Sequence, residues 1–150
     1  VYKRQAAAYL KRCGAEVTRV RKMLRNDMDA YKARAEVVRH AEVYRGAFAI
    51  SICPADKIES PTIVGAQAAD ELLNIVGIKA SFVLTEYQGK IYVSSRSIDE
   101  INVQKIMERL GGGGHLNMAG CQLRDCTVSQ AQRIIEDTID EMLEEGDIEE

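Results

Sequence analysis

Residues 94–120 read SSRSIDEINVQKIMERLGGGGHLNMAG, and this stretch decides how the second half of the chain folds. A capping-box pattern at Ser97–Glu100 predicts the start of a helix. Four consecutive glycines end that helix, and Ala119–Leu123 is predicted as the strand that follows them. One face of the helix carries apolar residues at helical spacing: Val103, Ile106, Met107 and Leu110.

The segments before this stretch have the two-residue period of strands. Ser81–Glu86 and Lys90–Arg96 alternate on either side of Gln88-Gly89, which predicts a β-hairpin. Further upstream, the apolar run Ala47–Cys53 is typical of a buried strand. These strands and the one after the glycines can form a single sheet.

Two further helices are predicted around the strands. Ser60-Pro61 indicates the start of a helix that runs to about Val76. Thr127–Gln130 is a second capping-box match and opens the last helix. The order of elements therefore predicts an α/β fold in which a small mixed β-sheet is covered by helices, rather than a doubly wound parallel sheet.

Residues 1–45 differ from the rest in both period and charge. They carry 12 basic and 5 acidic residues, whereas residues 46–150 carry 8 and 18. Ala6–Cys13 has a helical pattern, and residues 16–45 continue it with a break at Asn26-Asp27. We therefore predict a helical connector before the sheet. Its basic surface can attract phosphates, but a solvated helical face is the simpler interpretation.

The composition excludes several classes of protein. With 150 residues, 46% of them hydrophobic and 29% charged, the chain is typical of a globular domain and not of a disordered one. There is neither an apolar stretch of membrane-spanning length nor a signal peptide. Four cysteines without a CxxC pair predict reduced thiols in the cytoplasm. His115, Cys121 and Cys126 form a weak alternative as a zinc set.

The four glycines are the feature that carries chemistry. Successive glycines can turn their backbone N–H groups to one side, and such a nest binds anions without a charged side chain. His115 would add a donor at the rim, and Arg96 at the end of the preceding strand can bind a phosphate through its forked guanidinium. The alternatives are a flexible linker or a place where the backbone packs too closely for side chains.

The text GGGGHLNMAG, with SSRSIDEINVQKIMERL directly before it, resembles the signature of the DHH-associated domain, the C-terminal half of the DHH phosphoesterases. The similarity is strongest to bacterial cyclic-di-AMP phosphodiesterases, which carry an N-terminal membrane anchor. The resemblance implies two units. Residues 1–45 would be a helical connector and the end of a DHH domain, and residues 46–150 a substrate-binding domain with an acidic C-terminal tail.

The resemblance also implies roles for particular residues. In the family, the glycine-histidine motif and an arginine of the strand before the helix hold the phosphate or terminal nucleotide of the substrate. These roles carry over to Arg96, Gly112, Gly113, Gly114 and His115. The ligand would be cyclic-di-AMP or a short oligonucleotide, bound at a cytoplasmic position in a protein that is anchored to the membrane upstream.

The catalytic centre of the family is expected to lie outside this chain. DHH phosphoesterases use two manganese ions held by Asp and His residues of the DHH domain, whereas this chain has two histidines, His40 and His115, and no DHH tripeptide. The chain also begins at Val1 without an initiator methionine. We therefore expect a piece of a larger protein that binds substrate, needs no cofactor itself and is inactive without its upstream DHH partner.

Two other interpretations stay open from the sequence. The DHH-associated domain also occurs as the tail of alanyl-tRNA synthetases, where it contacts tRNA, so a non-enzymatic nucleic-acid-binding module is the main alternative. The basic first 45 residues favour it, while the small number of aromatic residues argues against it. The other interpretation is a domain that folds and forms a homodimer but binds nothing by itself.

Overall fold

The structure is a computed structural model, and it describes residues 1–14, 16–23, 25, 27–98 and 101–149. Three helices come first, and pairs of strands then alternate with single helices. The helices are α1 Tyr2–Arg12, α2 Val17–Met23, α3 Met28–Arg39, α4 Pro61–Leu72, α5 Val103–Arg109 and α6 Val128–Glu145. The strands are β1 Glu42–Tyr44, β2 Phe48–Cys53, β3 Ala80–Tyr87, β4 Lys90–Ser97, β5 Gly113–His115 and β6 Met118–Leu123.

All six strands belong to one sheet, in the order β1-β2-β3-β4-β6-β5. Strands β2 and β3 are parallel and are joined through α4, while the other neighbouring pairs are antiparallel. The parallel pair needs a long crossover, which α4 supplies, and the antiparallel pairs need only short turns. The predicted α/β class with a mixed sheet is therefore confirmed.

Helices cover the sheet from both sides. On one face α5 and α6 pack on a core that includes Phe48, Phe82 and Ile135, all fully buried. On the other face α3 and α4 pack on a smaller core that includes Val83 and Leu72. Buried serines of the sheet bond to these helices: the Ser51 hydroxyl donates to a carbonyl of α3, and the Ser81 hydroxyl donates to a carbonyl of α4.

The end of the first 45 residues is a strand and not a helix. The helical interpretation is wrong for Glu42–Tyr44, because α3 ends at Arg39 and Val43 pairs with Ala49 in the sheet. Tyr44 also reaches α6, where its hydroxyl donates to the Asp140 carboxylate at 2.7 Å. These tertiary contacts override the helical spacing of the segment.

Other boundaries differ by a few residues from the prediction. Helix α4 ends at Leu72, four residues earlier than expected. Helix α5 begins at Val103 with Asn102 as its N-cap, whose side chain accepts from the Lys105 N–H at 3.2 Å. Ser97 therefore closes β4 instead of capping the helix; Asp99 and Glu100 of that capping box lie outside the described residues, as do Leu24 and Asn26 of the connector.

The local signals elsewhere are confirmed. Gln88 and Gly89 both have positive φ, 52° and 75°, as a two-residue hairpin turn requires. Thr127 and Gln130 form the reciprocal capping box at the start of α6. Asp27 caps α3 by accepting from the Ala30 N–H at 3.4 Å.

The contact between β1 and α6 predicts a pH-dependent contribution to stability. The hydrogen bond from Tyr44 is the main cause that lowers the pKa of Asp140, and Arg45, whose Nε lies 2.6 Å from the carboxylate, also lowers it. A carboxyl whose pKa is lower in the folded state stabilises that state above its unfolded pKa, and this stabilisation is lost as the pH falls.

Asp140→Asn should therefore lower the free energy of unfolding by about 1.5 kcal/mol at pH 7, which is typical for a hydrogen bond to a charged group. The difference from the unsubstituted protein should shrink as the pH falls below about 4. Urea unfolding followed by circular dichroism at several pH values measures it. Asp137→Asn is the control, because the described partner of Asp137 is the exposed Arg133 on the same helix. A difference that stays constant down to pH 3 would contradict the prediction.

Candidate functional site

Half of one sheet face is left open by the helices. Helix α4 covers β2, β3 and part of β4 on its side of the sheet, whereas β6 and β5 extend beyond it. Paired residues of antiparallel strands project from the same face. Arg96 pairs with Met118, which pairs with His115, and the next row on this face joins Ser94, Gly120 and Gly113. The structure therefore places Arg96 and His115 on one open face, with the exposed Met118 between their strands.

The first two glycines of the run end helix α5. Gly111 has a φ of +81°, and its N–H donates to the Glu108 carbonyl at 3.1 Å. The Gly112 N–H donates to the Met107 carbonyl at 2.8 Å. This pair of bonds is the Schellman arrangement, which needs a left-handed residue at the position of Gly111. The N–H groups of both glycines are therefore engaged by the helix end and are not part of an anion nest.

Gly113 and Gly114 belong to the edge strand β5, and Gly112 lies directly before it, so the linker interpretation is wrong. A β-carbon on Gly112 would lie 2.5 Å from the β-carbon of Cys121 and would overlap the Gly120 carbonyl oxygen. Gly114 has a φ of +151°, and a β-carbon there would lie 2.5 Å from the α-carbon of Ala119. Close backbone packing on β6 therefore explains Gly112 and Gly114. Gly113 is different, because a β-carbon there would meet nothing within 4 Å.

The turn between β5 and β6 is fixed to the end of β4. The Asn117 side chain donates to the carbonyl oxygen and the hydroxyl of Ser97 at 3.2 Å, and the Ser97 N–H donates to the Asn117 carbonyl at 3.1 Å. One row away, the buried Ser95 hydroxyl donates to the Ala119 carbonyl at 2.9 Å. Two of the serines around Arg96 therefore hold the hairpin that carries His115 and are turned away from the open face.

Arg96 is held in place by α4. Its Nε donates to Asp70 at 2.9 Å, and its Nη1 donates to the Ser95 carbonyl at 2.9 Å. Its side chain is only 12% exposed, whereas that of Asp70 is 61% exposed. Among the described residues, no hydrogen bond engages Nη2, so the guanidinium can keep both partners and still donate to a ligand. His115 is exposed on the edge strand and makes no side-chain contact that the described residues show.

A cleft of about 520 Å³ lies on this open face, next to the row of Arg96 and His115. Bare backbone forms part of its surface, and polar side chains form most of the rest. The lining residues are Thr62, Tyr92, Val93, Ser94, Gly111, Gly112, Gly120, Cys121, Gln122 and Arg124. The Cys121 side chain projects into the core on the other face of the sheet; burial raises the pKa of its thiol to about 12, so this sulfur stays neutral and is not a nucleophile.

Sequence reasoning missed Tyr92, Gln122 and Arg124 as lining residues. The signal was present in the alternation of the strands, because Tyr92 has the same parity as Arg96 along β4. Gln122 continues the parity of Met118 and Gly120 along β6, and Arg124 directly follows that strand. Of the predicted residues, Gly112 lines the cleft, and Arg96, Gly113, Gly114 and His115 lie beside it.

The described residues do not fit a metal ion. No group of three or more His, Cys, Asp or Glu side chains in this part of the chain is arranged to hold one. Cys121 packs in the core under α5 and α6, while His115 lies on the opposite face, so the weak zinc set of His115, Cys121 and Cys126 is not assembled.

The fold and the open face define an α/β domain with a mixed sheet. At one edge of this sheet lies an open strip, formed by Arg96, Met118 and His115 and by the neighbouring row of Ser94, Gly120 and Gly113. Residues 47–145 match the DHHA1 domain, about two thirds of the chain. The chain therefore belongs to the DHHA1 domain family, as the resemblance of the glycine-histidine motif implied. None of its described helices has both the length and the low polarity needed to cross a bilayer.

Known proteins similar to this chain include a much longer enzyme. Cyclic-di-AMP phosphodiesterase PdeA of Listeria monocytogenes is 41% identical over 136 residues, which are 90% of this chain and 20% of that protein. The chain spans about a fifth of the length of the curated relatives it matches in this group.

Two solved structures share the fold. An exopolyphosphatase-related protein from Bacteroides fragilis has a TM-score of 0.75 at 20% identity, over 86% of this chain and 40% of that one. The C-Ala domain of Aquifex aeolicus alanyl-tRNA synthetase has a TM-score of 0.50 at 16% identity, over 65% of this chain and 96% of that one. These likenesses concern the fold only.

Proposed function

We propose that this chain is the substrate-binding part of a nucleotide phosphodiesterase and that it holds a phosphate of cyclic-di-AMP or of a short oligonucleotide. The observation that carries the proposal is that Arg96, Gly113 and His115 face the same side of the sheet, in the part of that face that the described helices leave open. The similarity to the Listeria monocytogenes cyclic-di-AMP phosphodiesterase supports the choice of ligand class.

Gly113, Arg96 and His115 have different roles in binding. The bare α-carbon of Gly113 lets a phosphate come close to the strand, because no side chain stands over it. Arg96 donates from its unengaged Nη2 while Asp70 fixes its orientation. His115 donates from the edge strand. The chain thereby orients the phosphodiester without any residue of its own that could attack it.

Hydrolysis belongs, in this proposal, to a DHH domain upstream in the same protein. The metal pair of that domain would supply charge stabilisation and an activated water. The present chain would hold the nucleotide against it, at a cytoplasmic position in a membrane-anchored protein.

Calorimetric titration with 5′-phosphorylated diadenylate tests the proposal. We expect the chain to bind it and His115→Ala to weaken binding about tenfold, the equivalent of one charge-assisted hydrogen bond. His40→Ala is the matched control, because His40 lies at the end of α3, away from the open face, and Glu36 is its side-chain partner in the described part of the chain. Equal affinity of the His115→Ala variant and the unsubstituted protein would contradict the proposed phosphate site.

A parallel titration with tRNA distinguishes the proposed function from the alternative, a nucleic-acid-binding module. A nucleic-acid-binding module would bind tRNA with an affinity that falls steeply as salt is added, because each phosphate contact releases counterions. Its binding would also be insensitive to His115→Ala if the basic helices before the sheet carried it. We expect instead weak tRNA binding and a clear preference for the diadenylate.

A further inference from the structure

The geometry points to a second contact region in the cleft, formed by Tyr92, Gln122 and Arg124. We propose that this region, here called the distal end, binds the part of a linear dinucleotide or longer oligonucleotide that lies beyond the phosphate at His115. The inference rests on the proposed function, because it extends the same site. The distal end makes the cleft selective for ligands longer than one nucleotide.

Distances along the strands separate the distal end from the first phosphate site. Tyr92 pairs with Gln122 across β4 and β6, two rows away from the pair of Arg96 and Met118. Four residues of a strand span about 14 Å, so no single phosphate group can touch both rows. Arg124 lies beyond Gln122, just after the end of β6. A ligand that contacts both ends must therefore contain more than one nucleotide unit.

The charge of the distal end suits an anion. Arg124 is the one charged residue that lines the cleft in the described part of the chain, and no carboxylate joins it there. The other described arginines that follow α3 all have acidic partners: Arg45, Arg96, Arg109 and Arg133. Arg124 is exposed and has no such partner among the described residues. Its guanidinium is therefore available for a phosphate.

The two neighbours of Arg124 suit a nucleoside. Tyr92 is half-buried on the open face, and an aromatic ring in that position can stack on a base of any identity. Gln122 is exposed beside it and offers both an amide donor and a carbonyl acceptor. Thr62 at the start of α4 closes the opposite side of the cleft. The distal end thus combines a stacking surface with a cation, which is the usual composition of a single-strand binding site.

The test compares 5′-AMP with 5′-phosphorylated diadenylate by nuclear magnetic resonance of the 15N-labelled chain. Ligand is added to about 10 mM, which fills even a site with a dissociation constant near 1 mM. We expect Arg124→Gln to weaken diadenylate binding about tenfold and to change 5′-AMP binding less than twofold. Arg133→Gln is the matched control, because it removes the same charge from an exposed arginine on α6 outside the cleft.

A second measurement distinguishes a phosphate contact from a structural effect. The slope of log affinity against log salt for the diadenylate should be smaller by about 0.7 in Arg124→Gln, as for one lost phosphate contact on a single strand. An unchanged slope and unchanged diadenylate affinity would overturn the distal end and leave the proposed function standing. Equal weakening of both ligands would also overturn it, by making Arg124 part of the first phosphate site. Failure of the unsubstituted protein to bind either ligand would overturn the proposed function and, with it, this extension.

Discussion

Replacing Gly112 with alanine is expected to destabilise the protein by about 3 kcal/mol, the upper part of the range for overpacking a tight contact. The new β-carbon would overlap the Gly120 carbonyl oxygen and lie 2.5 Å from the β-carbon of Cys121. Both obstacles belong to β6, a strand inside the sheet that cannot move without disturbing β4. For a chain of this length the melting temperature should fall by roughly 6–12 °C.

Gly113→Ala provides the matched comparison at the next residue, where strand β5 begins. A β-carbon at Gly113 meets nothing within 4 Å, and its φ is not in the left-handed region. Alanine there should leave the free energy of unfolding unchanged or raise it by up to about 1 kcal/mol, because it restricts the unfolded chain. Thermal and urea unfolding of the two variants measures the contrast. Similar stability of the two variants would refute the close packing of Gly112 on β6.

Glu71→Ala is expected to cost about 2–3 kcal/mol, the second largest effect, because it leaves a buried arginine without its carboxylate. Arg34 on α3 has a side chain that is 7% exposed, and its Nε lies 2.9 Å from Glu71 on α4. After the substitution, the partners of Arg34 that remain among the described residues are Gln67, at 3.2 Å from Nη1, and the ring of Tyr31. Neither neutralises the guanidinium charge.

A double variant separates the charge from the packing. If the loss comes from an unpaired buried charge, Arg34→Met combined with Glu71→Met should recover most of the stability, since apolar residues of similar volume can replace a buried ion pair. Glu36→Ala is the control, because its contacts with Arg39 and His40 are exposed and should contribute less than about 0.5 kcal/mol. Urea unfolding of all three variants is the measurement. A double variant as unstable as Glu71→Ala would assign the loss to packing instead.

The parts of the fold that the sequence predicted are those with local signals. The hairpin around Gln88-Gly89 and the helix that opens at Thr127 follow from turn and capping chemistry within a few residues. The strands Glu42–Tyr44 and Gly113–His115 have no such signal, because three residues form a strand only when a neighbouring strand pairs with them. Their partners are set by the tertiary structure.

The candidate site was predictable in type but not in arrangement. The glycine-histidine motif and Arg96 stand out in the sequence, and the register places them on one face of the sheet. Which glycines pack against β6 and which leave the backbone open depends on how closely the glycine segment lies to β6. Residue spacing in the sequence does not reveal that distance. The burial of Arg34 could not be predicted from the sequence either. A basic helical segment is typical of a solvated face, and it is the packing of α3 on α4 that buries Arg34.

The anchoring of the β5–β6 turn by Ser97 and Asn117 has a consequence for the thermodynamics of ligand association. Because the hydrogen bonds between these residues already fix the strand that carries His115, a ligand meets a surface that is organised in advance. Little conformational entropy of the chain is lost on this side of the ligand when it binds. Association with this domain should consequently proceed without a slow ordering step.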